Sequence, residues 1–350
     1  MFIQSEPDFA GYTLSRARYD RAAGGIVVDK SAGGDTPGAM VRGVVESSVI
    51  PVSEPFDHAI VSWNAFTPAG SYLTVYLRAR VGGNWTNWYK MGLWNTDGAV
   101  WHRTTFGKQQ DSFGEMDCET LKLTAKADAV KLRVQLESSD GLRYPTLRFV
   151  ALTLNDSSIT SENMPPVKSV WGKELDVPYM SQLSVPGGSV WCSPTSTSML
   201  LRYWGKKLNR PDMTVGVTEA ASAIRDTGYG GTGNWSFNVA FAGEFAGIRA
   251  YVTRFTSISQ IEDWIAKGVP VVVSLDYSRL TRGKSKARGH LMVIRGFTTD
   301  GSPVFNDPGS RPNSPRLRKV FTRDDLDYAW LGPGGKWGTV YIIYPEGYKL

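Results

Sequence analysis

NDSSITSENMPPVKSV, residues 155–170, is built of Ser, Asn and Thr around a Pro–Pro pair and carries no periodic apolar pattern. A stretch of that composition reads as a linker, taken here as 158–171. The chain follows different rules on its two sides, and that difference decides the fold class.

Upstream, the apolar residues recur with period two. In SYLTVYLRARV (71–81), Leu73, Val75, Leu77, Ala79 and Val81 alternate with Tyr72, Thr74, Tyr76, Arg78 and Arg80. VKLRVQL (130–136) repeats the pattern, which is that of a strand with one wet face. HAIVSWNAF (58–66) and TLRFVALTL (146–154) are more continuously apolar, as central strands are, and TPAGS and VGGNW supply turns between runs. No helical periodicity interrupts this half. The economical architecture for 1–157 is an all-β sandwich or jelly roll, with 1–46 as a loop-rich lead-in holding one short strand at 25–29.

Downstream, 172–350 mixes helices and strands. Helices are expected after residue 192, near 215–225 and at 259–267, with Ser257 or Ser259 as caps. Strands are expected at 269–275, 290–297, 303–306 and 339–344. Helices precede strands, an α+β order. The length of 350 residues agrees with two domains, and a hydrophobic fraction of 41% suits packed cores.

The formal charge of +6 is mild, and the densest basic stretch is RLRK at 316–319, so nucleic acid is not implied as a partner. No run of about eighteen apolar residues is present, so no membrane span is expected, and MFIQSEPDFAGY lacks the pattern of a signal peptide. The modular build nevertheless points to a secreted or cell-surface bacterial protein, with the cytoplasm as the alternative.

The chemistry gathers around WCSPTSTSMLLRYW (191–204). Cys192 opens an apolar helical run, where unpaired N–H groups and the helix dipole favour a thiolate. Pro194 suits the first turn, and Leu200, Tyr203 and Trp204 share a face that anchors the helix. A nucleophilic thiol needs a base, a group to orient that base and donors for an oxyanion. Of three histidines, His58 and His102 fall in the β-rich half, which leaves His290 at the head of GHLMVIRGF as the base. Asp307 in VFNDPGS is preferred as the orienter, with Asn306 in reserve, and Gln182 in VPYMSQL with the Cys192 N–H as oxyanion donors. Trp191, Tyr229, Trp235 and Asn306 are the candidate substrate-binding residues; the glycine loop around Tyr229 reads as a mobile cleft wall. Cys118 reads as a structural cysteine that could also form a disulfide with Cys192. No cofactor is called for, and no His/Cys cluster suggests a metal. The Trp and Tyr residues at 63, 85, 88, 89, 94 and 101 are expected mainly in the sandwich core, with carbohydrate or cell-wall contact as the minority reading.

VPYMSQ, WCSPTS, GHLMVIRGF and VFNDP, in that order, resemble the papain-like cysteine peptidases of the C39 and C39-like group, and VFTRDDLDYAW (320–330) resembles the segment that closes such domains. The resemblance spans 172–350. It implies a papain-like fold in which Cys192 is the nucleophile, His290 the general base, Asp307 the orienting acid and Gln182 the oxyanion residue. Ser193 stands where the family usually has glycine, and its side chain is expected to narrow the cleft floor. The implied activity is hydrolysis of a peptide or amide through a thioester. The alternatives are an amidase or transpeptidase on cell-wall or γ-glutamyl peptides, and a catalytically silent protein that grips peptide or glycan.

Overall fold

The structure is a computed structural model that describes residues 1–4, 6–30, 41–98, 103–312, 314 and 317–350. Trp101, His102, Arg316 and part of the lead-in lie outside the described residues. The chain forms two compact units, Met1–Asp156 with Ala223–Ala246, and Ser157–Ser222 with Gly247–Leu350.

The first unit is strand-rich. Its main strands are β1 (Ile50–Phe66), β2 (Ser71–Val81), β3 (Thr120–Ser138) and β4 (Thr146–Asn155). The period-two reading holds in its centre: Leu73, Val75, Leu77 and Ala79 of β2 are buried, and so are Val130, Leu132, Val134 and Leu136 of β3, with Leu77 opposite Leu132 and Val75 opposite Val134. In place of the two separate sheets of a sandwich, hydrogen bonds join thirteen strands among the described residues into one sheet. The cause is the length of β3. With register shifts between residues 122 and 129, it pairs with β1 at 120–122 and again at 127–130, and with β2 at 127–138.

Trp63, Tyr89 and Trp94 are core residues, whereas Trp85 and Trp88 are half-buried on the sheet face. The Arg78 guanidinium lies 4.8 Å and 4.6 Å from the two ring centres.

Residues 223–246, which the sequence placed within 172–350, complete this first unit. Helix Trp235–Ala242 is apolar around most of its circumference and needs cover on more than one side. Phe237 packs edge-on against Trp94 at 5.3 Å, and Gly92 leaves the room, since a Cβ there would sit 2.7 Å from the Phe237 ring. Glu244 accepts hydrogen bonds from the Thr67 amide (2.9 Å) and hydroxyl (2.6 Å) and from Trp94 Nε1 (2.8 Å).

The second unit is built on an antiparallel sheet of β5 (Ile248–Arg254), β6 (Val271–Asp276), β7 (Gly289–Phe297), β8 (Pro303–Asn306), β9 (Arg318–Val320) and β10 (Thr339–Pro345), in the order β5-β10-β6-β7-β8-β9. The sequence reading lacked β5 and β9. Helix α1 (Cys192–Leu208) lies against β7 and β10. Leu200, Tyr203 and Trp204 are buried, and Trp204 Nε1 donates to the Ile343 carbonyl at 2.7 Å. Helix α2 (Ile258–Ala266) starts at Ser257 with a capping box closed by Gln260. Helix α3 (Arg323–Trp330) is capped by Thr322.

Part of the expected linker is seated on this unit. Glu262 of α2, fully buried, accepts from the Val167 amide (2.8 Å), Trp171 Nε1 (2.8 Å) and Arg323 Nη1 (2.5 Å). Glu262→Ala strands all three donors, the half-buried Arg323 guanidinium among them, so the second unit is expected to lose about 3 kcal/mol in urea denaturation. An unchanged midpoint would show that these donors find water.

Candidate active site

Each side chain of the expected constellation, apart from the cleft aromatics, sits at an element boundary of the second unit. Cys192 is the first residue of α1, and the residue before it, Trp191, makes no side-chain cap. The first-turn N–H groups therefore lack side-chain competitors for the sulfur and for substrate. His290 is second in β7, and Asp307 directly follows β8, whose Asn306 lies opposite Val293 of β7. This antiparallel pairing brings His290 Nε2 to 2.6 Å from Asp307 Oδ1. With Nε2 engaged, Nδ1 is the ring nitrogen left to interact with the Cys192 thiol.

The electrostatics favour an ion pair. Burial pushes the Cys192 thiol up, but the His290 hydrogen bond and charge, with the N–H groups of Leu291 and Ser193, outweigh it and leave the thiol below its ordinary value. Burial likewise opposes a charged His290, yet the hydrogen bonds to Asp307 and Cys192 push it up to about 9. Burial also works against the Asp307 carboxylate, and His290 and Lys319 hold it well below the usual carboxylate range. The two shifts have the sense of an ion pair, thiolate beside imidazolium. Cys118 shows the opposite environment: burial and Glu119 push its thiol far up, and both cysteines are free.

Gln182 is buried, and its Nε2 donates to the Ser189 carbonyl at 2.7 Å. An amide nitrogen carries two hydrogens, so one remains for an oxyanion. Two backbone features hold Gln182 in place. Its own N–H donates to the Pro308 carbonyl at 2.9 Å, next to Asp307. On the other side Gly188 presses on it so closely that a Cβ would lie 1.8 Å from the Gln182 carbonyl oxygen.

Ser193 does not narrow a cleft floor: it is buried, and its hydroxyl pairs with the Tyr341 hydroxyl at 2.8 Å in the core. Asn306 faces away from Asp307, as successive strand residues do, and its Nδ2 donates to the Val177 carbonyl at 3.0 Å, which makes it a buried tie and not a lining residue. Trp191 is half-buried beside Gly187. Tyr229 and Trp235 belong to the first unit, where the glycine loop is folded round Asp226: its Oδ1 accepts from the amides of Thr105, Gly228 and Tyr229, and Oδ2 from Asn234.

Sequence reasoning missed Tyr277 and Lys319, both bonded to Asp307 Oδ2. Neither lies in a recognisable motif. The Pro–Gly–Gly at 186–188 was the available signal for the turn that braces Gln182.

Residues 174–334 match the family model described as Peptidase_C39 like family, and residues 2–155 match that of the Peptidase C39 N-terminal domain. Among solved structures, the chain is similar to one described as a C39-like peptidase from Bacillus anthracis, at 17% identity and a TM-score of 0.38 over 50% of this chain and 99% of that one. It is also similar to the Emp46p carbohydrate recognition domain, at 12% identity and a TM-score of 0.25 over 42% and 89% of the two chains. A third is a pseudo β-1,3-glucanase of Mycobacterium tuberculosis, at 12% identity and a TM-score of 0.19 over 41% and 91%. No curated protein matches the chain. Among the described residues, no helix is long and apolar enough to cross a membrane.

Proposed function

We propose that the chain, peptidase C39-like over residues 174–334, is a cysteine peptidase of papain-like architecture whose second unit cleaves a peptide or amide bond. The observation that carries this reading is His290, bonded to Asp307 at 2.6 Å and placed where it draws the Cys192 thiol below its ordinary value.

The Cys192 thiolate adds to the scissile carbonyl carbon, and the oxygen takes the charge between the Gln182 amide and the Cys192 N–H. The His290 imidazolium gives its proton to the leaving amine as the C–N bond breaks, which leaves a thioester and a neutral imidazole. That imidazole then takes a proton from water as the water adds to the thioester carbon, and keeps it as the Cys192 thiolate departs with release of the acid, which restores the starting pair. Asp307 accepts from His290 Nε2 throughout and keeps Nδ1 aimed at the sulfur. The α1 N-terminus adds its dipole to the stabilisation of the thiolate.

The test is the rate of Cys192 alkylation by iodoacetamide against pH, read by peptide mapping. The thiolate is favoured by the fold, so it is present above the ordinary thiol range and withdrawn as pH falls through the depressed value. The imidazolium is also favoured, so it is present below the ordinary histidine range and withdrawn as pH rises through about 9. Labelling is therefore expected to be fast already at pH 6, and hydrolysis to fall on an alkaline limb near 9. Labelling that grows only towards pH 8.5, as an ordinary thiol does, would leave a binding protein without this chemistry.

A further inference from the structure

The Asp307 carboxylate is shared between two sets of partners. Oδ1 accepts from His290 Nε2 (2.6 Å) and from the Gly309 amide (2.8 Å). Oδ2 accepts from Lys319 Nζ and from the Tyr277 hydroxyl (3.2 Å), and Lys319 donates to that same hydroxyl at 2.9 Å. The Tyr277 ring meets the His290 ring edge-on at 4.9 Å. Lys319 reaches the site from β9, where it lies opposite Phe305 of β8. The Asp307 side chain is 1% exposed and that of Lys319 23%, so water screens the pair weakly.

The titratable and charged groups facing the imidazole are thus Cys192 from α1, Asp307 after β8, Tyr277 and Lys319. Tyr179 adds its hydroxyl, which donates to the carbonyls of Asp307 and Ser310 at 3.3 Å and 3.0 Å.

A buried carboxylate by itself would stabilise an imidazolium so strongly that the ring would give up its proton reluctantly. A lysine on the far oxygen offsets part of that field, because a charge and its counter-charge act at a distance as a dipole, whose influence falls off faster.

We propose that Lys319, braced by Tyr277, is a positioning residue that offsets part of the Asp307 charge, so that the carboxylate orients His290 while holding its proton less tightly than a lone carboxylate would. The inference rests on the reading of Cys192 and His290 as nucleophile and base. It assigns Lys319 a role through Asp307, with no contact to substrate. The lysine keeps the imidazolium acidic enough to protonate a leaving amine, and its hydrogen bonds fix the plane of the carboxylate.

Two measurements test it. With three histidines in the chain, the His290 imidazole can be titrated directly by NMR. Lys319→Met is expected to raise its midpoint by about one unit, Lys319→Gln to do nearly the same while keeping a donor, and Lys319→Arg to leave it in place. The second measurement is a rescue. Asp307→Asn leaves the Lys319 charge unbalanced beside the imidazole and is expected to slow Cys192 alkylation at pH 6 by at least about tenfold. Asp307→Asn with Lys319→Met restores a neutral orienter and is expected to recover most of that loss. A lysine that merely braces the loop predicts an unshifted midpoint and additive losses, and that result would overturn the inference. Should Lys319→Met not fold, Lys319→Gln carries both measurements. If the wild type labels like an ordinary thiol, the reading of the site fails and the inference with it. If the wild type labels as an ion pair while the Lys319 variants titrate unchanged, this inference alone is overturned.

Discussion

His290→Ala is expected to slow alkylation of Cys192 at pH 6 by about 100-fold and to reduce amide turnover by about 10⁴-fold or more. The two numbers differ because the imidazole acts twice. For alkylation, only the thiolate matters. An ordinary thiol near 8.5 is about 0.3% ionised at pH 6, pairing with His290 raises that fraction, and the lower nucleophilicity of a more acidic thiolate removes part of the difference. Without His290, burial pushes the Cys192 thiol up and only the N–H groups of Leu291 and Ser193 oppose it. Turnover suffers further because the leaving amine then departs without a proton donor. Rates should be compared with the protein shown to be folded at each pH. An alanine variant that labels as fast as the wild type would remove the base from the mechanism.

The second large effect concerns a residue with no side chain. Gly188→Ala places a Cβ against the Gln182 carbonyl, so either the turn Gly188–Val190 or the backbone of Gln182 must move. Gln182 Nε2 is aimed by its bond to Ser189 in that turn. Peptide turnover is therefore expected to fall by about 100-fold, the usual loss for one oxyanion donor. Alkylation by iodoacetamide, which forms no oxyanion, should change by no more than about threefold. Equal losses in both assays would point to a collapsed site and not to a lost donor. Gly187→Ala is the comparison: Gly187 has φ +78°, and its replacement costs about 1–2 kcal/mol of strain without entering Gln182.

Much of this was legible in the sequence because it depends on local rules. The alternation in 71–81 survives from Val75 on, where Val75, Leu77 and Ala79 are buried and Tyr76, Arg78 and Arg80 are not, whereas the expected wet-face residues Tyr72 and Thr74 are buried as well. His290 and Asp307 were found by elimination and strand order, and the β7/β8 pairing brings them together. What escaped were features fixed by partners distant along the chain. Lys319 meets Asp307 because a three-residue strand joins a sheet edge, and nothing in RLRK announces that strand. Ser193 was expected at the cleft because it neighbours Cys192, yet the first turn of a helix points adjacent residues about 100° apart, and Ser193 turns to Tyr341. Helix Trp235–Ala242 lacks a polar face, so periodicity had nothing to detect.

The chain visits the first unit twice, at Met1–Asp156 and again at Ala223–Ala246. A ribosome delivers the polypeptide in order, so the helix bearing Cys192 emerges before the first unit has the piece that covers Trp63 and Trp94. The β-rich half therefore waits, with apolar surface uncovered, until residue 246 has been synthesised. Cutting the gene between 157 and 172 would yield neither half intact. One product would lack a plug for its core, and the other would carry Phe237, Val239 and Phe241 with nothing in its own fold to cover them.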